Sequence, residues 1–471
     1  MSGIILSVDI GTSSLKAAFI DFSGKLIAFS RIPYGTSLPN NNLLGDINFP
    51  KAAGSGEWEK AFALSLEDLK TQSGGSAIEG ISISGNGPTL VPVTAGGESL
   101  PNLDWFDEKV IKFESKQMQE SGAFIEADAF GEVSSLKKSG ADEVKSFFLP
   151  RAAWLKKNEP ELYKKTSVFL SSHEWLAFRL GTEALTVLPN EAYEPYYWDE
   201  TQCLFFSLDK EKFPPFIKMG TFMGQVSENA AARYGHKIKS GTPVISGGPD
   251  FITALLGTGT WNKGDVCDRA GSSEGINVCA AELKNDLKKI KDFRIRVLPH
   301  FREGFWNIGA LIPFSGRLFE RYLAESGNCQ KPYEELFEKL IPSLSPEIFR
   351  SPESGGRSVL CEIGFKVRSA INKLGELGFP VNEMKVSGGQ GKNPRWNQLK
   401  ADITGVKLVV PEIRDGELAG NAALAVAALE KKSIEETALS MIRIGDVYKP
   451  SNAEFWEMMY NKYFDKRQNI F

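Results

Sequence analysis

Three glycine-rich junctions, each closing an apolar run of β type, constrain this chain more than any other feature. They are Asp9-Ile10-Gly11-Thr12-Ser13, Ala270-Gly271-Ser272-Ser273 and Ser387-Gly388-Gly389-Gln390-Gly391. Glycine lets backbone N–H groups approach a bound oxyanion closely, and flanking Ser and Thr hydroxyls add donors. One such junction is compatible with an ordinary tight turn. Three at strand ends in one chain point to a nucleotide. Neither GxxxxGK[ST] nor a GxGxxG that opens a helix occurs, which argues against a P-loop ATPase and a classical dinucleotide-binding domain.

The 471 residues leave room for two large α/β units. With 55 Lys+Arg against 59 Asp+Glu the net charge is −4, so the chain lacks the basic field that nucleic acid or anionic lipid requires. Apolar residues make up 42% and charged residues 24%, ordinary values that exclude disorder as the main state. The five cysteines form no CxxC, and their odd number fits a reducing compartment. Asp9 interrupts the apolar start, and no basic segment precedes it. The late apolar stretch Ala422 to Leu429 is far short of the ~20 residues that span a bilayer. A cytoplasmic protein is expected. His173, His236 and His300 show no metal spacing.

The opening reads as an antiparallel meander: Ile4 to Val8, Leu15 to Ile20 and Leu26 to Ile32, with turns between. Residues 35–56 read as a surface loop, Trp58 to Leu69 as a helix and Ile78 to Ser84 as a strand. Residues 108–180 read as mostly helical. Near residue 240 the pattern restarts with a strand at Pro243 to Ser246, a turn at Gly247 to Asp250 and a helix from Phe251. Gly11-Thr12-Ser13 and Gly271-Ser272-Ser273 each lie between two strand-like runs, a weak internal repeat. The last third offers helices at Val359 to Leu374, Asn393 to Ile403 and Gly420 to Leu429, and strands at Met384 to Ser387 and Leu408 to Val410.

Asp9, at a strand end beside a Gly-Thr-Ser turn, suits either an Asx-turn or Mg²⁺ bound directly or through water. Lys16 is either a solvated strand residue or a charge aimed at phosphate. Asp250 suits a helix N-cap, or a general base at the carboxyl end of a strand, where open α/β sheets bind ligands.

On these residues the chain resembles the FGGY carbohydrate kinases, of the actin-like ATPase superfamily, over nearly its whole length. Asp9 to Lys16 resembles the first phosphate motif, and Trp105-Phe106-Asp107 the Trp-x-Asp segment of the sugar pocket. Gly248-Pro249-Asp250 resembles the segment bearing the catalytic base, Gly271-Ser272-Ser273 the second phosphate motif, and Gly388 to Trp396 the adenosine motif.

The resemblance implies an α/β fold of two actin-like (ribonuclease H-like) domains, with mixed sheets flanked by helices and a cleft between them. Residues 1–245 would form the N-terminal sugar-binding domain and residues 246–471 the C-terminal nucleotide-binding domain. It implies ATP-dependent phosphorylation of a sugar or polyol hydroxyl, with ATP and Mg²⁺ as cofactors and Asp250 as general base. Asp9 and Asp250 would serve the metal. Gly11, Thr12, Ser13, Lys16, Gly271, Ser272, Ser273, Gly388, Gly389, Gln390 and Asn393 would serve the nucleotide. Asn86, Thr89, Trp105, Asp107, Asp250 and Phe251 would line the acceptor pocket. Pentulose kinases form a large part of the family, so a pentulose such as xylulose is the expected acceptor, and a homodimer the expected assembly. No nucleic-acid or membrane partner is expected.

The chain departs from the family pattern at Ser84-Gly85-Asn86-Gly87-Pro88-Thr89, where Gly-Gln-Met-His-Gly is common, at Lys109 in place of Arg, and at Phe251 in place of a polar residue. All three fall where the sugar would sit and leave its identity open. A weakly active or inactive sugar-binding regulatory protein is the alternative, against which the retained Asp9 and Asp250 argue. The Trp105–Asp107 segment argues against a filament-forming or chaperone-like ATPase.

Overall fold

The computed structural model describes residues 3–35, 53–73, 77–104, 107, 109–110, 113, 136–138, 141–271, 273–283, 287–312, 315–328, 333–341 and 355–462. Trp105, Phe106 and Ser272, most of the expected 35–56 loop and most of residues 108–140 lie outside the described residues.

The chain forms two compact units: residues 1–253 with 417–441, and residues 254–416 with 442–471. The first is built on a six-stranded sheet. Its strands are β1 (Ile4–Ile10), β2 (Ser14–Asp21), β3 (Leu26–Pro33), β4 (Ile78–Gly85), β5 (Phe222–Gln225) and β6 (Pro243–Pro249), in the order β5-β6-β4-β1-β2-β3. β1 to β3 form the expected antiparallel meander, while β4 runs parallel to both β1 and β6. Every residue of β1 is buried, as suits a central strand covered on both faces. Helix α1 (Ser55–Ser73) packs on β2 and β3. It buries Trp58, Phe62, Leu66 and Leu69, the stripe that a 3.6-residue period brings to one side. Helix α2 (Ser172–Leu180) opens with a capping box, Ser171 paired with Glu174. Strands also form at Ala141–Val144 and Thr166–Leu170, within the stretch read as mostly helical.

The turn expected at Gly247 to Asp250 is absent. β6 runs through to Pro249, with a register shift between Ser246 and Gly248, and helix α3 (Asp250–Thr258) starts directly after it. Gly247 is glycine because any Cβ would overlap the Ile83 carbonyl, so its role is close backbone approach at a bulge.

The second unit has a seven-stranded sheet. Its strands are β7 (Val266–Ala270), β8 (Glu274–Ala280), β9 (Ile295–Pro299), β10 (Trp306–Ile312), β11 (Glu383–Ser387), β12 (Lys407–Pro411) and β13 (Ile444–Tyr448), in the order β9-β10-β8-β7-β11-β12-β13. Helix α4 (Gly355–Glu376) sets Val367, Ala370, Ile371 and Leu374 against Val278, Ile308 and Met384. Helix α5 (Pro394–Thr404) adds Trp396, Leu399 and Ile403 to a further apolar cluster with Leu360, Ile363 and Trp456.

The echo between the halves is a repeat of topology. β7 is antiparallel to β8 and parallel to β11, as β1 is antiparallel to β2 and parallel to β4. The repeat is offset from the expected boundary at 245/246. β6, where the pattern restarts, belongs to the first sheet, and helix α6 (Gly416–Glu430) carries the chain back to that unit from Glu417. Among the described residues no helix is long and apolar enough to cross a membrane.

Candidate active site

In the first unit, three adjacent strands set three polar side chains in a row. Asp9 on β1 stands opposite Lys16 on β2 and opposite Ser84 on β4. Ser84 Oγ donates to Asp9 Oδ1 at 2.9 Å, and Lys16 Nζ lies 3.6 Å from Asp9 Oδ2 and 4.0 Å from Glu417 Oε2. Asn421, one turn after Glu417 on α6, donates to Ser84 Oγ at 2.9 Å and to the Val8 carbonyl at 2.8 Å. The next residues, Gly11, Thr12 and Ser13, are half-buried to exposed, and Gly11 N–H donates to the Ser14 carbonyl at 3.1 Å.

Burial pushes the Asp9 carboxyl up to about 7; Lys16 opposes this, and the charges of Glu417 and Asp250 add to it. The charge of Asp250 is thus felt at Asp9, 241 positions away in sequence. Asp250 is half-buried in the first turn of α3, whose Thr253 hydroxyl donates to the Asp250 carbonyl at 3.0 Å. Phe251 beside it is half-buried.

The end of β4 leads into Asn86 and Thr89, both buried, at 6% and 0% exposure. Among the described residues Asn86 Oδ1 and Thr89 Oγ1 have no hydrogen-bond partner, so both are available to a hydroxylated ligand. The loop is held from outside: Asn86 N–H donates to the Ile10 carbonyl at 2.8 Å, and Ser172 Oγ donates to the Asn86 carbonyl at 3.0 Å. A Cβ at Gly85 would overlap that Ser172 hydroxyl. Asp107 is half-buried and accepts from the backbone N–H of the exposed Lys109 at 3.0 Å. Neighbouring Asp104 is pushed up to about 6, chiefly by burial and further by Asp107, against the Asn102 hydrogen bond and Arg151.

In the second unit two of the glycine turns touch. Gln390 Nε2 donates to the Gly271 carbonyl at 3.0 Å and to Ser315 Oγ at 3.2 Å. Gly388 has φ 99°, and a Cβ there would lie 2.6 Å from the Ala270 carbonyl oxygen. Gly271 N–H donates to the Ser273 carbonyl at 3.0 Å. Gly389 is exposed, with no heavy atom within 4 Å of where its Cβ would stand, which leaves its backbone open to a ligand. Asn393 is buried and caps α5, its Oδ1 accepting from Arg395 and Trp396 N–H at 3.0 and 3.1 Å.

Asp9, Asp250 and Glu417 set three carboxylates against Lys16, an excess of negative charge suited to a divalent cation. Among the described residues no group of three His, Cys, Asp or Glu could hold a metal by itself. Mg²⁺ commonly takes one or two carboxylates and completes its shell with phosphate oxygens and water, so that absence does not conflict with it.

Models of both halves of one family match the chain: the N-terminal domain of the FGGY family of carbohydrate kinases over residues 4–257, and its C-terminal domain over residues 317–429. The chain belongs to the FGGY family of carbohydrate kinases. It is 24% identical to a xylulose kinase of Bacillus subtilis, over 99% of this chain and 96% of that one. Its fold is that of a xylulose kinase from Rhodospirillum rubrum (TM-score 0.74, 17% identity, 99% of each chain). It is also that of a gluconate kinase from Lactobacillus acidophilus (TM-score 0.76, 16% identity, 100% of this chain and 98% of that one). This FGGY kinase is thus a phosphotransferase with an alcohol group as acceptor, on the two-domain actin-like fold.

Asp104, Glu417 and Asn421 are not among the residues expected at the site, and Ser84 enters there only as the start of the segment that departs from the family pattern. Glu417 and Asn421 had a signal: two polar residues four apart, one helical turn, in a segment otherwise of Ala, Leu, Gly and Val.

Proposed function

We propose that this kinase transfers the γ-phosphoryl group of MgATP to a hydroxyl of a pentulose such as xylulose, with Asp250 as general base. The observation that carries the reading is the grouping of Asp250 with Asp9, Lys16 and Glu417 in one electrostatic cluster. The Bacillus subtilis relative supports the choice of a pentulose.

Asp250 accepts the acceptor's hydroxyl proton as its oxygen attacks phosphorus. Asn86, Thr89, Trp105, Asp107 and Phe251 orient the acceptor, with Asn86 Oδ1 and Thr89 Oγ1 as hydrogen-bonding groups. Gly11, Thr12, Ser13, Lys16, Gly271, Ser272 and Ser273 are the residues of the two phosphate motifs, with N–H, hydroxyl and ammonium groups suited to phosphate oxygens. Gly388, Gly389 and Gln390 receive the adenosine end, and Asn393 fixes the start of the helix behind them. Asp9 and Asp250 are the residues that would hold Mg²⁺, directly or through water; the ion would supply charge neutralisation along the phosphates. Asn421 and Ser84 orient the Asp9 carboxylate.

The test is ADP release measured against a panel of ketoses, polyols and sugar acids. Xylulose is expected to give the highest kcat/KM. A higher value for a sugar acid or a polyol would overturn the pentulose assignment.

A further inference from the structure

Lys400, Asp268 and Glu274 form an ionic cluster with each residue at 0% exposure. Lys400 Nζ donates to Asp268 Oδ2 at 2.8 Å and to Glu274 Oε1, and it lies 5.4 Å from the Trp396 ring centroid. Its position is informative. Asp268 on β7 and Glu274 on β8 stand three residues to either side of Gly271, in the two strands that make the Gly271–Ser273 turn. Lys400 is on α5, the helix that follows the Gly388–Gly391 turn. The same two segments meet again at their tips, through Gln390 and Gly271, and through Gly388 and Ala270.

Such a cluster is not explained by stability. Desolvating three charges offsets most of their attraction, and apolar side chains of equal volume often serve as well or better. The same strands and helix bury Val266, Ala270, Ile276 and Ala401 in the apolar core of the second unit. Charge balance offers another explanation. Burial and the Asp268 charge raise the Glu274 carboxyl above its ordinary range, and Lys400 opposes this. Lys400 sets its ammonium against both carboxylates, so the strands under the Gly271 turn bring less negative charge toward a polyphosphate.

We propose that Lys400 is a positioning residue for the nucleotide. It ties the hairpin that carries Gly271–Ser273 to the helix behind Gly388–Gly391, and offsets carboxylate charge in that hairpin. The inference rests on the reading of these turns as nucleotide-binding.

The experiment is titration of the full-length protein with ATP, followed by calorimetry, alongside KM for the acceptor and the thermal midpoint. Wild type is expected to bind; if it binds no ATP, the nucleotide reading of the turns falls, and the role of Lys400 with it. Lys400→Met is expected to weaken ATP by about tenfold or more with acceptor KM changed by less than about twofold. Asp268→Asn combined with Lys400→Met restores the wild-type net charge without the tie and is expected to recover part of the loss. Glu274→Gln, which keeps the Lys400–Asp268 pair and an acceptor of the same shape for Lys400, is expected to bind ATP nearly as wild type does. A Lys400→Met protein that melts earlier yet binds ATP with wild-type affinity would show a purely structural cluster. Should Lys400→Met fail to fold, Asp268→Asn, Glu274→Gln and Lys400→Met are combined in one chain; wild-type ATP affinity in that uncharged variant would equally overturn the proposal.

Discussion

Asn421 donates its side-chain amide to the backbone carbonyl of Val8, 413 positions away in sequence, at 2.8 Å. The same nitrogen reaches Ser84 Oγ, which itself holds Asp9. A residue late in the chain therefore sets the orientation of a carboxylate near its start. Asn421→Ala removes two buried hydrogen bonds, to the Val8 carbonyl and to Ser84 Oγ, each worth about 1 kcal/mol. The variant is expected to unfold at lower denaturant and to lose turnover even where it is fully folded. Loss of stability with unchanged kcat would confine Asn421 to a structural role.

Asp250→Asn keeps the size of the side chain and its capping ability but removes basicity. Turnover is expected to fall by at least about 10²-fold, with nucleotide binding and the thermal midpoint kept. A few-fold loss would mean that Asp250 serves only as the first residue of its helix.

Asp9→Ala removes one carboxylate from the cluster with Lys16, Glu417 and Asp250. The Mg²⁺ concentration for half-maximal rate is expected to rise while the acceptor KM stays nearly constant. A collapse of acceptor binding at unchanged metal dependence would place Asp9 in the acceptor pocket instead.

Adjacent glycines 388 and 389 should respond differently. Gly388→Ala places a Cβ 2.6 Å from the Ala270 carbonyl oxygen at φ 99°, so it should destabilise the fold by more than about 1 kcal/mol. Gly389→Val meets only open space and should fold normally, yet raise the KM for ATP and leave that for the acceptor unchanged. Equal loss for both substrates in Gly389→Val would point to general misfolding.

Asp104 gives a pH signature of stability. Its carboxyl is held near 6 in the folded state, against an ordinary value of 3.8, mainly by burial. The folded state thus holds a proton that the unfolded chain has released, and this group's contribution to stability falls as pH rises from about 4 to about 6, then levels off. Asp104→Asn is expected to flatten that slope and to raise the thermal midpoint at pH 7 relative to wild type. An unchanged slope would mean that the Asp104 carboxyl ionises as it does in water.

Local patterns were readable where neighbours in sequence are neighbours in space. The β1–β2–β3 meander is one case: apolar runs and Gly or Asp turns alternate over some thirty residues, and each strand pairs with the next. Helix α5 is another, with Asn393 as cap and Pro394 in its first turn. Legibility failed where distant segments decide. Gly247-Gly248 has the composition of a turn, but the nearby Ile83 carbonyl makes it a bulge. Helix α6 has the composition of an interior helix, and only the fold shows Glu417 and Asn421 reaching Lys16 and Ser84. The expectation that Asp9 and Asp250 lie near one another came from the resemblance and from no local pattern.

The assignment of residues 417–441 to the first unit also bears on synthesis. Domains generally fold as units while the chain emerges, the N-terminal one first. Here the ribosome must deliver the whole stretch from Ala254 to Gly416 before Leu418 and Asn421 can reach β1. The first sheet, whose six strands are all made by Pro249, therefore waits without its covering helix while about a third of the chain is synthesised, and a chain halted after Thr253 would be an exposed intermediate lacking the segment that closes it.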